Sequence, residues 1–462
     1  MNKVPIIFNK IAELCSLVIS SCSEDFFVKY SCVSVAEKQR INGIIAENLP
    51  VLAEKSAEKA RLAESDFTVE FFSSLDDFIL HLKNERDFFA IVGLIQALDE
   101  NLESILQEKI AEAQNDDFFV VLNTNREQTG IGLLPRCSCV WERKHRLSHS
   151  YNRMDNFLCN MLLMENSILG ELIDKHFFLK SSLFPDFAKK RYLKIAATPL
   201  RLEKNFDVIH YREEKVQYFK IAYHESDFEA ENALVWQKIL YAAENKSDII
   251  VFPEMLGNPT MVQSIAQKLK ELPSENAENI PSLIILPSFW EKKCNTVTIL
   301  DKFGNVICRQ SKQNPFRTEL DGAGYLEGIL PSLVVNIFHF EGIGRIAILI
   351  CKDFLTTKYM EQLMRCFKLT LIIVPSFSTG SYDFRQSFDL CAHDDCNVVW
   401  INACAAFEKG KEANFENIGY VRKRISRSDD EAQMLCKMPI CRGAFKGECA
   451  HDCIYFEKIS GV

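Results

Sequence analysis

The chain of 462 residues has no long uncharged run; the longest, 369–382, is interrupted by Pro375 and Gly380. A bilayer-spanning helix takes about 20 predominantly apolar residues, so no transmembrane helix is expected. The apolar stretch from Leu14 to Cys22 ends Ile-Ser-Ser-Cys, in the manner of a lipoprotein cleavage site. It is short, however, and Glu13 sits where a signal core would begin, so secretion is not the expected reading. An excess of basic charge is also missing: 54 Lys/Arg stand against 63 Asp/Glu, evenly shared between the two halves. That balance excludes a chain built as a polycation for nucleic acid or membrane surfaces. Tight Cys-x2-Cys pairs and repeats at a solenoid period are lacking as well. The 17 cysteines are scattered and odd in number, many inside apolar runs such as Leu390-Cys391-Ala392. They read as free thiols in a reducing cytoplasm rather than as a disulfide framework.

What is present is an ordinary globular balance, 47% hydrophobic and 25% charged, at a length that suggests two or three domains. From Lys10 to about Leu200 the pattern is mostly helical, with apolar residues three and four apart over 37–62, 75–89 and 153–178. One β-like interruption, 118–122, leads into a loop holding Gly130, Gly132 and Pro135. The charge-rich stretch 189–215, with Pro199 in it, is the candidate linker. The expected division is a mainly α-helical domain over 1–200, a linker over 201–217, and a second domain over 218–462.

After Tyr218 short β-rich runs alternate with helix-length segments, which marks an α/β layered fold. Strands are expected at 218–223, 248–252, 282–287, 333–340, 345–350, 369–375 and 397–402. Helices are expected at 229–246, 261–272, 356–367 and 384–394. Residues 296–300 and 306–310, joined by Asp301-Lys302-Phe303-Gly304-Asn305, read as a hairpin. Functional groups in such sheets gather beyond the C-terminal strand ends. Glu254 closes Ile249-Ile250-Val251-Phe252-Pro253, Cys351 closes Ala347-Ile348-Leu349-Ile350, and Lys312 follows the hairpin. A thiol, a carboxylate and an ammonium are what thiol-based acyl transfer needs: a nucleophile, a proton shuttle and a charge for the oxyanion. Singly, each has a plainer origin in a core cysteine, a helix cap or a solvated lysine.

Taken in order, these blocks resemble the nitrilase, or carbon–nitrogen hydrolase, superfamily. The resemblance runs from about 218 to 402. Phe219-Lys220-Ile221-Ala222 looks like the opening strand, and Asp248 to Glu254 like the first catalytic block. Cys294-Asn295-Thr296-Val297 with the 301–305 turn looks like the hairpin before the lysine. Gly344 to Asp353 looks like the nucleophile block, and 371–376 and 397–402 like the last core strands; past Asn402 only Gly419 to Arg424 offers an equivalent. The resemblance implies an α/β fold of the α-β-β-α sandwich type, dimers or larger homo-oligomers, no cofactor, and hydrolysis of an amide or nitrile, amide being the default. It implies Glu254, Lys312 and Cys351 as the catalytic triad, with the backbone N–H of Lys352 helping to hold the oxyanion. A second glutamate after the lysine serves many branches; Glu319 and Glu327 are the candidates, with Glu319 preferred on distance from Lys312. Asp353 is expected to anchor the nucleophile turn, and Phe377, Tyr382 and Phe384 to line the pocket or cap the core.

Three further signals carry rival readings. Cys436, Cys441, Cys449 and Cys453, with His451 among them, have the composition of a zinc cluster without its spacing. The basic stretch from Arg136 to Arg153 could contact RNA, although a solvated loop is the commoner origin of such a run. The helical region matches no recognised family and leaves regulation, assembly and sensing open. The alternative to an enzyme is an inactive nitrilase-like scaffold that senses a ligand or binds a protein, for instance in a bacterial defence system.

Overall fold

The computed structural model describes residues 3–142, 153–273, 278–408, 415–424 and 434–460. The first part is helical: Val4–Ser21, Glu24–Ser31, Val35–Asn48, Pro50–Ala57, Val69–Glu85, Phe88–Asn101 and Glu103–Ala113. Three of these begin at side-chain caps that satisfy otherwise orphaned N–H groups. Ser34 accepts from the Glu37 N–H, Thr68 from Phe71 and Asp87 from Ala90. By length and composition the first helix could cross a membrane. Here its Ile7, Phe8, Ile11, Leu14 and Val18 are buried in the core of the helical unit.

A two-stranded hairpin, Ile131–Pro135 with Met161–Glu165, separates this core from the next. Its alternation sends Leu133 and Leu163 into the helical core and Leu134, Leu162 and Met164 into the sheet core. The expected helix over 153–178 is therefore wrong. Met154–Phe157 is a 3₁₀ turn, and Met161–Glu165 and Ile173–Phe178 are strands. A strand covered on both faces carries a continuous apolar run, which mimics helical spacing.

The remainder contains two seven-stranded sheets. The first holds Tyr192–Ala197, Ile249–Val251 and Leu283–Ile285 in parallel, then Cys294–Asp301 and Val306–Ser311 as an antiparallel hairpin, with Phe289–Glu291 and Tyr455–Ser460 added. The second runs Leu435–Pro439, Asn417–Arg422, Asn397–Asn402, Leu371–Ser376, Gly344–Ile348, Val334–Phe340 and Ile173–Phe178. Helices Phe228–Glu244 and Met261–Glu271 connect strands of the first sheet, and Thr357–Phe367 and Tyr382–His393 those of the second. The fold is α/β, an α-β-β-α sandwich with a helical N-terminal part.

Two expectations about its limits need correction. The division at 200 fails, because Ile173–Phe178 and Tyr192–Ala197 are built into the two sheets. The expected linker over 201–217 is largely the strand Phe206–Glu213, paired along its length with Val216–Tyr223. Nor is Val216–Tyr223 the opening core strand. That place belongs to Tyr192–Ala197, which lies parallel to Ile249–Val251. Both segments contain Lys-Ile-Ala, at Lys194 and at Lys220. The hairpin of Phe206–Glu213 and Val216–Tyr223 instead joins Ala323–Glu327 and Arg317–Leu320 in a separate four-stranded sheet. This small sheet matters below because it ends at Glu327.

A chain starting at residue 218 would strip Ile173–Phe178 from Val334–Phe340 and Tyr192–Ala197 from Ile249–Val251, leaving unpaired N–H and C=O groups along apolar strands. Such a chain is expected to show no cooperative transition in a circular-dichroism melt, whereas the full chain shows one.

Candidate active site

Glu254, Lys312 and Cys351 come together from three strand ends. Pro253 and Glu254 follow Ile249–Val251, and the Glu254 N–H donates to the Ser376 carbonyl at 3.3 Å, so the carboxylate is drawn to the second sheet. Lys312 follows Val306–Ser311, its N–H donating to the Asn295 carbonyl at 2.8 Å. Its ammonium lies 2.9 Å from Glu254 Oε1 and 2.8 Å from Glu327 Oε2. Cys351 sits at the sharp turn between Gly344–Ile348 and the short helix Lys352–Leu355, with φ 48° and ψ −99°. A positive φ at a side-chain-bearing residue is strained, and such strain collects at functional sites. The first N–H groups of a helix have no intrahelical acceptor, so the Lys352 N–H beside the thiol is suited to an oxyanion.

Asp353 ties the lysine loop to this turn. Its carboxylate accepts from the N–H groups of Gln313 at 3.0 Å and Asn314 at 2.7 Å, from Asn314 Nδ2 at 2.9 Å and from the Ile350 N–H at 3.3 Å. Burial still pushes its carboxyl up to about 6 against those donors.

The cluster is closed to solvent: Cys351 is 4% exposed, Glu254 1%, Lys312 2% and Glu327 1%. Burial raises the Glu254 carboxyl above the ordinary range while the Lys312 ammonium opposes that rise. For Lys312, burial disfavours the charged form, but Glu254 and Glu327 outweigh it and hold the ammonium well above its usual value. Burial and then the Glu254 carboxylate push the Cys351 thiol far up, Lys312 pulling the other way. The Cys351 thiol is therefore held in its neutral form beside the Glu254 carboxylate.

The candidates named from sequence divide sharply. Of the two glutamates, Glu327 is the one on Lys312. Glu319 is 72% exposed and paired only with Arg317, on the outer strand Arg317–Leu320. The preference for Glu319 was one of chain distance; the hairpin turn at Asp321-Gly322 reverses the chain and returns Glu327 to the lysine. Phe377 belongs to the site: its N–H donates to Glu254 Oε2 at 2.9 Å and its ring packs on Phe206, which packs on Tyr223. Tyr382, at the first turn of its helix, is 72% exposed and lines nothing here, and Phe384 caps the core against Trp400.

Among the cysteines proposed for zinc, Cys441 lies against Cys449 and Cys453, while Cys436 faces Glu457 and Lys423 instead. Among the described residues no set of three His, Cys, Asp or Glu is arranged to hold a metal ion. The ends of the basic stretch are internal: Arg136 pairs with Glu142, and Arg153 with Glu165 and Asp155. Arg143, Lys144, His145, Arg146 and His149 lie outside the described residues.

No family model matches the chain, and no curated protein sequence matches it. Solved structures do. An amidase from Nesterenkonia sp. aligns over 58% of this chain and 90% of its own, with 13% identity and a TM-score of 0.39. Saccharomyces cerevisiae Nit3, a member of branch 10 of the nitrilase superfamily, aligns over 58% and 90%, with 13% identity and a TM-score of 0.37. The Caenorhabditis elegans NitFhit protein aligns over 58% and 61%, at 16% identity and a TM-score of 0.35. The likeness of the chain to these three structures is one of fold.

Glu327→Gln and Glu319→Gln separate the two carboxylates by stability. Glu327→Gln leaves Lys312 paired with Glu254 but weakens buried hydrogen bonds to a charged group, at a cost of about 1.5–3 kcal/mol, whereas an exposed pair is worth about 0–1 kcal/mol. Urea unfolding of the full chain is expected to show a loss of that larger size for Glu327→Gln and almost none for Glu319→Gln.

Proposed function

We propose that the chain is a hydrolase of non-peptide carbon–nitrogen bonds, an amide by preference, working through a Glu254–Lys312–Cys351 triad. The observation that carries this reading is the Lys312 ammonium held between two buried carboxylates, beside a neutral thiol on a strained turn. With Lys312 charged and both glutamates ionised, the cluster carries one net negative charge. Ionising the thiol outright would make it two in a dry site. Moving the thiol proton to Glu254 leaves the net charge unchanged, which is why a carboxylate with a raised proton affinity suits the task.

In the first step the Cys351 Sγ–H proton passes to Glu254 as sulfur bonds to the amide carbon. Lys312 and the Lys352 N–H stabilise the oxyanion of the tetrahedral intermediate. Glu254 returns the proton to the departing nitrogen, the C–N bond breaks, and a thioester remains. Glu254 then deprotonates a water, which attacks the thioester carbon; the C–S bond breaks and the thiol is restored with release of the acid. Every proton taken is given back, so no cofactor is required. The helical part would serve assembly or regulation, the homo-oligomer and the cytoplasm being the expected setting.

The test is ammonia release from a panel of small primary amides by the full chain and its Cys351→Ala and Glu254→Gln variants. A wild-type signal lowered at least about a thousandfold in both variants supports the assignment. A signal that survives Cys351→Ala overturns it in favour of a scaffold whose chemistry lies elsewhere.

A further inference from the structure

The catalytic assignment leaves one buried side chain in the cluster without a role. Asn295, on the strand Cys294–Asp301, is fully buried. Its Nδ2 donates to Glu254 Oε1 at 2.8 Å and to Glu327 Oε1 at 3.4 Å, while its carbonyl receives the Lys312 N–H. Its Oδ1 has no partner. The unpaired oxygen fixes the orientation of the amide, because the flipped form would set Oδ1 against two carboxylate oxygens. One residue thus spans both carboxylates with its side chain and holds the lysine between them with its backbone.

The two oxygens of Glu254 are not equivalent as a result. Oε1 accepts from both Asn295 Nδ2 and Lys312 Nζ, at 2.8 and 2.9 Å, which fills its two lone-pair directions. Oε2 accepts from the Phe377 N–H and keeps one direction open. From this geometry we infer that Asn295 is a positioning residue that directs the Cys351 proton to Glu254 Oε2 and keeps the carboxylate ionised until that transfer. The inference rests on the triad reading above. The step balances within the site: the S–H bond breaks, an O–H bond forms at Oε2, and the electron pair stays on sulfur.

The sign of the pH effect follows. A donor to the ionised carboxylate lowers its affinity for protons, so removing Asn295 raises it. Glu254 then stays protonated to higher pH, and the acid limb of any reaction that uses it as base moves up. The other groups facing Glu254 are Lys312, Glu327, Cys351, Tyr223 and the Phe377 N–H, all retained in the Asn295 variants.

The experiment is the rate of Cys351 alkylation by iodoacetamide against pH on the full chain, read by peptide mass spectrometry, for wild type, Glu254→Gln and three changes at Asn295. Loss of one hydrogen bond to a charged group is expected to move the acid limb of Asn295→Ala up by about one pH unit. Asn295→Ser, which keeps a donor, falls between. Asn295→Leu, nearly the same shape but with neither donor nor charge, moves at least as far as Ala. Were Asn295 only filling space, Leu would lie nearest to wild type and Ala farthest, and that order overturns the inference. So does an unchanged limb in every variant that folds. If Asn295→Ala yields no cooperative melt, the Ser–Leu comparison alone decides. Failure of the triad itself reads differently: wild-type Cys351 would then react no faster than in Glu254→Gln.

Discussion

An ammonium out of water governs the architecture of this site. Burying a lysine costs several kcal/mol unless charge and hydrogen bonds replace its hydration. Lys312 has Glu254 on one side and Glu327 on the other, with both carboxylates as deeply buried as itself. Neither carboxylate is tolerable alone, and together they over-compensate the lysine by one charge. Burial, and after it the Glu254 carboxylate, holds the thiol above its ordinary range, so in the proposed reaction internal proton transfer is the route by which sulfur becomes a nucleophile.

The sandwich meets this constraint by drawing each group from a different place. The first sheet supplies Glu254, Asn295 and Lys312, and the second supplies Cys351 and the Phe377 N–H. Glu327 comes from the small four-stranded sheet, where it pairs with Phe219 and its Oε2 also accepts from the Phe316 N–H at 2.8 Å. Asp353 then bridges the lysine loop to the nucleophile turn. Cys351 and the Phe377 N–H come from the other sheet and Glu327 from the small one, so the full cluster forms only when both sheets are closed on each other. Buried ion pairs further out, such as Lys368 with Asp155 and Arg345 with Glu142, join the sheets to the residues of the dividing hairpin region in the same way.

Much of this was legible from residue order. The α/β alternation after Tyr218, the 294–311 hairpin and the polar residues at apolar strand ends all follow from periodicity and turn chemistry. Distance along the chain misled where the chain doubles back, as in the choice of Glu319 over Glu327. The two Lys-Ile-Ala segments were a different trap. The cue that separates them is physical: Ile195-Ala196-Ala197 is covered on both faces, as a central parallel strand must be, whereas Val216–Tyr223 mixes exposed and covered positions as a half-exposed sheet does. The same principle explains why 153–178 read as helix. The helical unit itself was readable as helix but not as a partner of the sandwich, because a hairpin shared between two cores leaves no signature except alternating burial.

The closed state of the cluster constrains how a substrate could reach it. The hairpin 206–223 covers it with Phe206 and Tyr223 against Phe377. Swinging that hairpin outward would also pull on Ala323–Glu327, since Leu326 and Glu327 are paired to Tyr218 and Phe219. Glu327 would then leave Lys312, and a buried ammonium would lose half of what compensates it. An opening that preserves the chemistry must therefore be local, through rotation of the three rings, with the backbone pairing of the small sheet intact.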